Sequence, residues 1–465
     1  REEFFDIPVD DSILSEIKKS SHLLVTSIKD KKNDSKKLKA IFKKEKNRDK
    51  AIFTAYKEEY TQTQIAKLLG LTQASISKIV KKMSYSYNPT PLKDFLGNKP
   101  LYYDVIDYGR MPRVYDAVKS YFKIPQIIHI VGTNAKGSTG RYLAHALHVK
   151  NLHVGHYTSP HILNFNERIW INGCDVDDEV LEKNHEKLFL ILGQSHADEL
   201  SYFEYTTLLA MLCFEECEYL VLEAGLGGEY DATNVFDKVL SIFTPIDSDH
   251  QAFLGNDIKS VATTKMNSMD KRALIAKQEH DEVYTIFEDI ANEKKAETFY
   301  VSDLLDDNDL EIVSNFPELP QYMQENMLSV MSALKLLHVS YETESFKNAT
   351  LFGRLSKIAE NITLDVGHNV LAAKAIAKHF EGKKIHLIYN SYADKDYREI
   401  VKILKPIIEC VEIIEIVSIR AEDVKALERV LDEESIAHQK FLTCKDDRNY
   451  LVFGSFSVAE TFLTL

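Results

Sequence analysis

The stretch Ile127-Ile128-His129-Ile130-Val131-Gly132-Thr133-Asn134-Ala135-Lys136-Gly137-Ser138-Thr139 runs a buried-strand pattern straight into a Gly-rich turn that carries a lysine and hydroxyls. Strand, turn and helix stand here in the order that a phosphate grip at the end of an α/β sheet requires. Backbone N–H groups of the turn and of the following helix's N-terminus point at an anion, Lys136 adds a point charge, and Ser138 or Thr139 can reach a bound Mg2+. The pattern GxxxxGK[ST] is not met, since Ile130 and Ala135 stand where it wants its two glycines. On this segment nucleotide binding outweighs a mere strand-to-helix turn.

Composition sets the frame for that loop. With 465 residues, 45% of them hydrophobic, and only 17 Gly and 11 Pro, the chain has material for roughly two or three cores. It has no long apolar run and no secretory h-region, so a soluble, monomeric cytoplasmic enzyme of bacterial type with no membrane partner is expected. Arg1 in place of Met suggests a truncated or processed product. Five cysteines without a CxxC pair point to neither a disulfide framework nor a zinc site, and Cys213 and Cys217 read as small core residues on one helix face. Charge is uneven: residues 1–83 hold 19 Lys+Arg against 12 Asp+Glu, and the remainder 38 against 59. Such asymmetry suggests separate partners for the two parts.

Residues 35–50 are Lys-rich and poorly periodic, a solvated linker or helix, whereas 51–83 read as helical. Ile65, Leu68 and Leu69 make one apolar stripe and Ile76, Ile79 and Val80 another. Between them Gly70 can take φ > 0 to end the first helix and Thr72 can cap the second. A helix-turn-helix over about 61–82 is therefore predicted, with Gln73, Ala74, Ser75 and Lys78 facing the groove of DNA. Its plain alternative is a helical hairpin used only for packing. With Arg48-Asp49 and Ala55-Tyr56 the segment also resembles the C-terminal tail of REP-associated transposase-type proteins. Residues 84–91 read as a linker. Beyond it short apolar strands alternate with amphipathic helices: strands are expected at 127–131, 220–223, 239–245 and 273–276, then at 362–365, 385–389, 411–417 and 451–453. Three parts follow: a small all-α segment over 1–84, and two α/β domains over 85–345 and 346–465.

Further motifs join the loop. They are His156-Tyr157-Thr158-Ser159-Pro160-His161-Ile162, Phe165-Asn166-Glu167-Arg168-Ile169, Ser201-Tyr202-Phe203-Glu204-Tyr205, the run from Leu222 through Gly227-Gly228 to Asn234, and Asp249-His250 with Lys265 downstream. Phe352-Gly353-Arg354, Asp365-Val366-Gly367-His368-Asn369 and Ala393-Asp394-Lys395-Asp396 continue the series. In this order, from Pro89 to the C-terminus, the chain resembles the folylpolyglutamate synthase/dihydrofolate synthase family within the Mur ligase superfamily. The resemblance implies an α/β fold: a P-loop-type Mur ligase ATP-binding domain plus a Rossmann-like C-terminal domain. It implies activation of a carboxylate by ATP as an acyl phosphate, which the amine of L-glutamate attacks, with dihydropteroate or a reduced folate as acceptor.

By the same resemblance ATP, two Mg2+ ions and a monovalent cation are the implied cofactors. Lys136, Glu223, His250 and Lys265 are the implied catalytic set, and Ser159, Glu223, His250 and Lys265 the metal ligands, Lys265 as a carbamylated lysine. Asn134, Ala135, Lys136, Gly137, Ser138, Asn326 from a predicted helix 323–337, Arg354, Asp365 and His368 would hold the nucleotide. Ser201, Tyr202, Phe203 and Glu204, with Tyr230, Asp231 and Ala232, match the pterin positions. Each has a plain use in isolation: Ser159 a turn, Glu223 a strand-end charge, His250 a core histidine, Lys265 a surface residue, Asp365 a helix cap. Their joint spacing favours the site. Three departures stand out: Ala135 replaces a family Gly, Glu229 replaces the Arg of a Gly-Gly-Arg, and Thr264-Lys265-Met266-Asn267 replaces Glu-Lys-Ala-Gly. Two alternatives remain in view: a DNA-binding regulator whose ligase-like domain senses a nucleotide or folate, and a Mur-type cell-wall ligase, against which the Ser201–Glu204 segment stands.

Overall fold

The computed structural model describes residues 36–58, 60–86, 89–100, 107–247, 255 and 257–465. The chain divides into two compact units. One holds the described residues up to Asn98 together with Ala117–Tyr121 and His185–Glu199, and the other holds Lys99–Asp116, Phe122–Asn184 and Leu200–Leu465. None of the described helices is long and apolar enough to cross a membrane.

The first unit is helical. Asn47 caps the Arg48–Lys57 helix by accepting from the N–H groups of Asp49 and Lys50, and Thr61 with Gln64 forms a reciprocal capping box on Gln62–Leu69. That helix ends at Gly70, whose φ of 66° and ψ of 27° lie in the left-handed region where a side chain is costly. Thr72 Oγ1 then accepts from Ser75 N at 3.1 Å at the start of Gln73–Ser86. Ile65, Ala66, Ile76 and Val80 pack with Ile52, Phe53 and Leu190 in one core. The two predicted stripes thus face the same interior, while Gln73, Ala74 and Lys78 are exposed and Ser75 is half-buried.

The second unit contains two sheets. The first has β1 (Gln126–Val131), β2 (Val154–Tyr157), β3 (Ile169–Ile171), β4 (Cys174–Asp175), β5 (Tyr219–Glu223), β6 (Leu240–Phe243), β7 (Arg272–Ile275) and β8 (Glu297–Tyr300). Their order is β4-β3-β2-β5-β1-β6-β7-β8, parallel except at the β2–β3 and β3–β4 pairings. The second has β9 (Ser356–Ala359), β10 (Ile362–Leu364), β11 (Ile385–Tyr389), β12 (Ile408–Ile413), β13 (His438–Lys440) and β14 (Tyr450–Phe453), in the order β13-β12-β11-β14-β10-β9 with β9 antiparallel. Strands buried on both faces read as continuous apolar runs, which is why β1, β5, β6, β11 and β14 fall within a residue or two of expectation. The exception is the stretch expected at 411–417: β12 stops at Ile413 because its partners end at Tyr389 and Lys440, and Val417 stands fully exposed. Helix 323–337 is found as Gln321–Leu336.

The Lys136–Val149 helix crosses the first sheet with Leu143 and Leu147 buried against Ile128, Val221 and the Val330, Leu334 side of Gln321–Leu336. Because β5 lies on one side of β1 and β6 on the other, the carboxyl ends of these three strands open a crevice at the point where the winding reverses.

Candidate functional site

The loop after β1 is held from below by β6. Thr133 and Asn134 both donate their N–H to Pro245 O, and Thr244 Oγ1 donates to Asn134 O at 2.7 Å. Gly132 has no room for a side chain, since a Cβ there would lie 2.0 Å from Thr244 Oγ1. Its carbonyl accepts from Lys136 Nζ at 3.1 Å and from buried Lys265 Nζ at 2.9 Å. Two ammonium groups therefore converge on one carbonyl at the mouth of the loop. The first-turn N–H groups of the Lys136–Val149 helix have no intrahelical acceptor and supply the anion-binding end. A Cβ on Gly137 would lie 2.8 Å from Leu351 Cδ2 and 3.6 Å from Glu223 Oε2, so a side chain there would press on Leu351 beside the carboxylate.

Ala135, at the cap of that helix, has φ 67° and ψ −7°, the left-handed region. The Gly expected there is thus replaced by a residue that bears strain of about 1–2 kcal/mol. Gly would give back about 0.5–1 kcal/mol in unfolded-state entropy. Ala135→Gly is therefore expected to stabilise by a net ~0.5–1 kcal/mol and to lower the KM for ATP. Thermal unfolding and ATP titration check this, and an unaltered Tm with an unaltered KM would show that the strain is relieved elsewhere.

Glu223 closes the same crevice from the end of β5. It is 4% exposed, and one carboxylate oxygen accepts from Thr158 Oγ1 and, at 3.4 Å, from Ser159 N. Thr158, which sequence reasoning passed over, is thus the residue that orients this carboxylate. Glu223, Ser138 and Lys136 line one cavity, while Ser159 and Lys265 adjoin it through Glu223 and Gly132. Carboxylate and hydroxyl oxygens are the hard donors Mg2+ prefers, so this set fits that ion. His250 lies outside the described residues. Among the described residues no group of three or more His, Cys, Asp and Glu side chains is placed to hold a metal.

The cavity measures about 850 Å³ and extends from the loop to the second sheet. Asn134 to Ser138, Asn326, Arg354, Asp365 and His368 all line it, so the structure gathers every residue that the sequence suggested for a nucleotide. Asn326 is 4% exposed and its Nδ2 is buried without a hydrogen-bond partner among the described residues, a donor awaiting an acceptor. Asp365 accepts from Gly367 N at 2.7 Å and Leu355 N at 2.9 Å; burial pushes its carboxyl up, and the neighbouring Arg354 guanidinium pulls it back down. Arg354 lies 5.5 Å over the Phe456 ring. His368 Nδ1 is 3.1 Å from Val366 O. Two residues outside the expected set also matter. Asn369 and Asn134 exchange amide hydrogen bonds at 2.6 and 3.1 Å, tying the loop to the cap of the Val370–His379 helix. Tyr322 lines the wall beside Asp365, its hydroxyl pushed up by burial.

The pterin positions lie apart from that cavity. Ser201 and Glu204 form the capping box of Tyr202–Cys213, and Glu204 also accepts from Arg110 Nε at 2.7 Å. Phe203 packs on Gly225, where a Cβ would lie 2.5 Å from the ring, and Tyr202 sits under the Arg168 guanidinium at 5.5 Å. Asp231 is buried, accepting from Leu226 N and Thr233 N, and Ala232 is buried behind it. Tyr230 is 55% exposed and its ring is 4.4 Å from that of Tyr108, an aromatic pair only half visible in the sequence. Glu229, whose replacement of an Arg would reverse a charge were it to face the phosphates, accepts from Asn267 Nδ2 at 2.8 Å and does not line the cavity. A Glu229→Arg reversion should therefore change the ATP KM less than Ala135→Gly does, the reverse of the order that charge alone suggests.

No family model matches the chain. It is 30% identical over 368 residues to the dihydrofolate synthase/folylpolyglutamate synthase of Haemophilus influenzae, covering 69% of this chain and 82% of that protein. Among solved structures it is similar to the folylpolyglutamate synthetase of Helicobacter pylori, with 38% identity, a TM-score of 0.67, and 80% and 97% of the two chains covered. It is also similar to the Escherichia coli enzyme FolC in complex with DHPP and ADP, with 25% identity, a TM-score of 0.69, and 81% and 97% covered.

Proposed function

The chain belongs to the dihydrofolate synthase/folylpolyglutamate synthase family, and on that footing we propose that it is an ATP-dependent ligase joining L-glutamate to dihydropteroate and to reduced folates. The observation that carries this reading is one cavity lined by the lysine-bearing loop, Glu223 and the buried Asn326, whose Nδ2 has no partner among the described residues. The same reading assigns ATP binding to residues 85–345 with the Rossmann-like part over 346–465 completing the site. A carboxylate oxygen of the folate precursor attacks the γ-phosphorus and ADP leaves; the glutamate amine then attacks the acyl carbon, phosphate leaves, and the amine's proton is released. Lys136 and the first-turn N–H groups lie where charge on the transferred phosphoryl group is to be neutralised. By the family resemblance Ser159, Glu223 and His250 would hold Mg2+ and a carbamylated Lys265 would serve a second ion, and the metal would supply further charge neutralisation. Release of ADP and phosphate that requires dihydropteroate and glutamate together tests the reading. ATP binding without turnover would support the sensing alternative.

Every residue lining the cavity lies between Thr133 and His379. Deleting residues 1–83 is accordingly expected to leave kcat within a few-fold. The deletion uncovers Leu190 and frees Glu186 from Lys57, so the Tm should fall by several degrees, consistent with losing about 1.5–3 kcal/mol of side-chain burial. A many-fold loss of kcat in a folded truncation would make the segment part of the enzyme.

A second reading, for the N-terminal unit, is contact with DNA. It is favoured by the exposed, basic surface around the two helices that meet at Gly70.

A further inference from the structure

We propose that the Gln73–Ser86 helix reads base edges in the major groove of duplex DNA, an inference that rests on the DNA-contact reading and specifies how contact is made. Packing decides which face is offered. Ile76 and Val80 are buried with Ile65, Ala66, Phe53 and Leu190, so the opposite face of the first turns, bearing Gln73, Ala74, Ser77 and Lys78, is left in solvent. Gly70 ends the first helix with its left-handed φ, and Thr72 caps the start of the second. A second helix held across a first, with its N-terminal residues projecting, is the geometry that enters a major groove.

The exposed side chains suit base edges. Gln pairs bidentately with adenine N6 and N7, Lys donates to guanine O6 and N7, Ser serves either, and an Ala methyl packs on the thymine methyl. Residues 36–83 carry 13 Lys+Arg against 4 Asp+Glu, whereas the rest of the chain carries 44 against 67. The basic character is local, and Lys36, Lys37, Lys39, Lys43, Lys46 and Arg48 are exposed. A protein partner is less well matched: among the described residues of these helices the sole exposed large hydrophobic is Tyr56, a single ring rather than the apolar cluster that anchors an interface. One ring is also less than the row of stacking side chains that single-stranded RNA uses, and the deep groove of A-form RNA does not admit a helix.

The test uses the full chain. A random-sequence duplex pool is enriched on the immobilised protein, and fluorescence anisotropy then compares the enriched duplex, a scrambled duplex and the matching RNA over a range of salt. The enriched duplex is expected to bind about tenfold or more tightly than the scrambled one. Gln73→Ala with Lys78→Ala should erase that preference, lower the salt slope by about 1 or less, and leave ligase turnover unchanged. Salt-steep binding with no sequence preference, or a preference that survives the double substitution, overturns base reading and leaves only phosphate contact. Absence of salt-sensitive duplex binding overturns the DNA reading itself, as does tighter binding of the RNA.

Discussion

Glu223→Gln is expected to lower kcat by about a thousandfold while leaving the fold and Tm intact. The side chain is the same size, so packing at the end of β5 is kept, and a neutral amide is easier to bury than a carboxylate. What is lost is a full negative charge on an oxygen that Thr158 Oγ1 and Ser159 N hold in place. The amide oxygen can still accept from Thr158, so the local hydrogen bonds do not collapse. Loss of turnover without loss of stability therefore isolates the charge as the functional element. ADP release is followed at saturating Mg2+, with thermal unfolding on the same sample. Turnover within tenfold of the parent would remove Glu223 from the metal site, and a matching fall in Tm would make its role structural.

Much of this site was legible because its residues are punctuated by backbone demands that few sequences satisfy. A strand ending in Gly132 with Lys136 opening a helix predicts a phosphate loop, and the loop lies at the crevice between β1, β5 and β6. Gly70 at φ 66° was foreseeable from position alone, since a helix must end there, whereas the left-handed Ala135 could be suspected only because it stands where the family has a Gly. The rest depended on partners remote in sequence. Thr158 meets Glu223 across 65 residues and Asn134 meets Asn369 across 235, and no local pattern encodes either pair. Glu229 shows the opposite failure. Its charge is visible in the sequence, but its side chain is turned to Asn267, so its place in the motif overstated its influence on the loop. Strand β12 ends early for a related reason, because alternation in the sequence continues past the point where neighbouring strands stop.

Lys136→Ala is expected to cost about 10²–10³ in kcat/KM for ATP, and Lys136→Arg should recover little of it. In the structure the ammonium rests on Gly132 O and Thr133 O, carbonyls of the very turn that would receive the phosphates. Moving from those acceptors to an anionic oxygen is a short swing for a compact charge with three donors. A guanidinium is larger, planar and committed to a fork, and the space around Gly137 is bounded by Leu351. Lys265 Nζ also donates to Gly132 O, a bond that the N–H of a carbamylated lysine can keep, so the loop retains one of its two lysine contacts when Lys136 is removed. The loop is therefore expected to retain its shape, which Tm can verify, and the rate loss then reports charge alone. If Lys136→Ala stays within tenfold of the parent, or if Arg restores full activity, the lysine is a brace for the turn and the neutralising charge lies elsewhere.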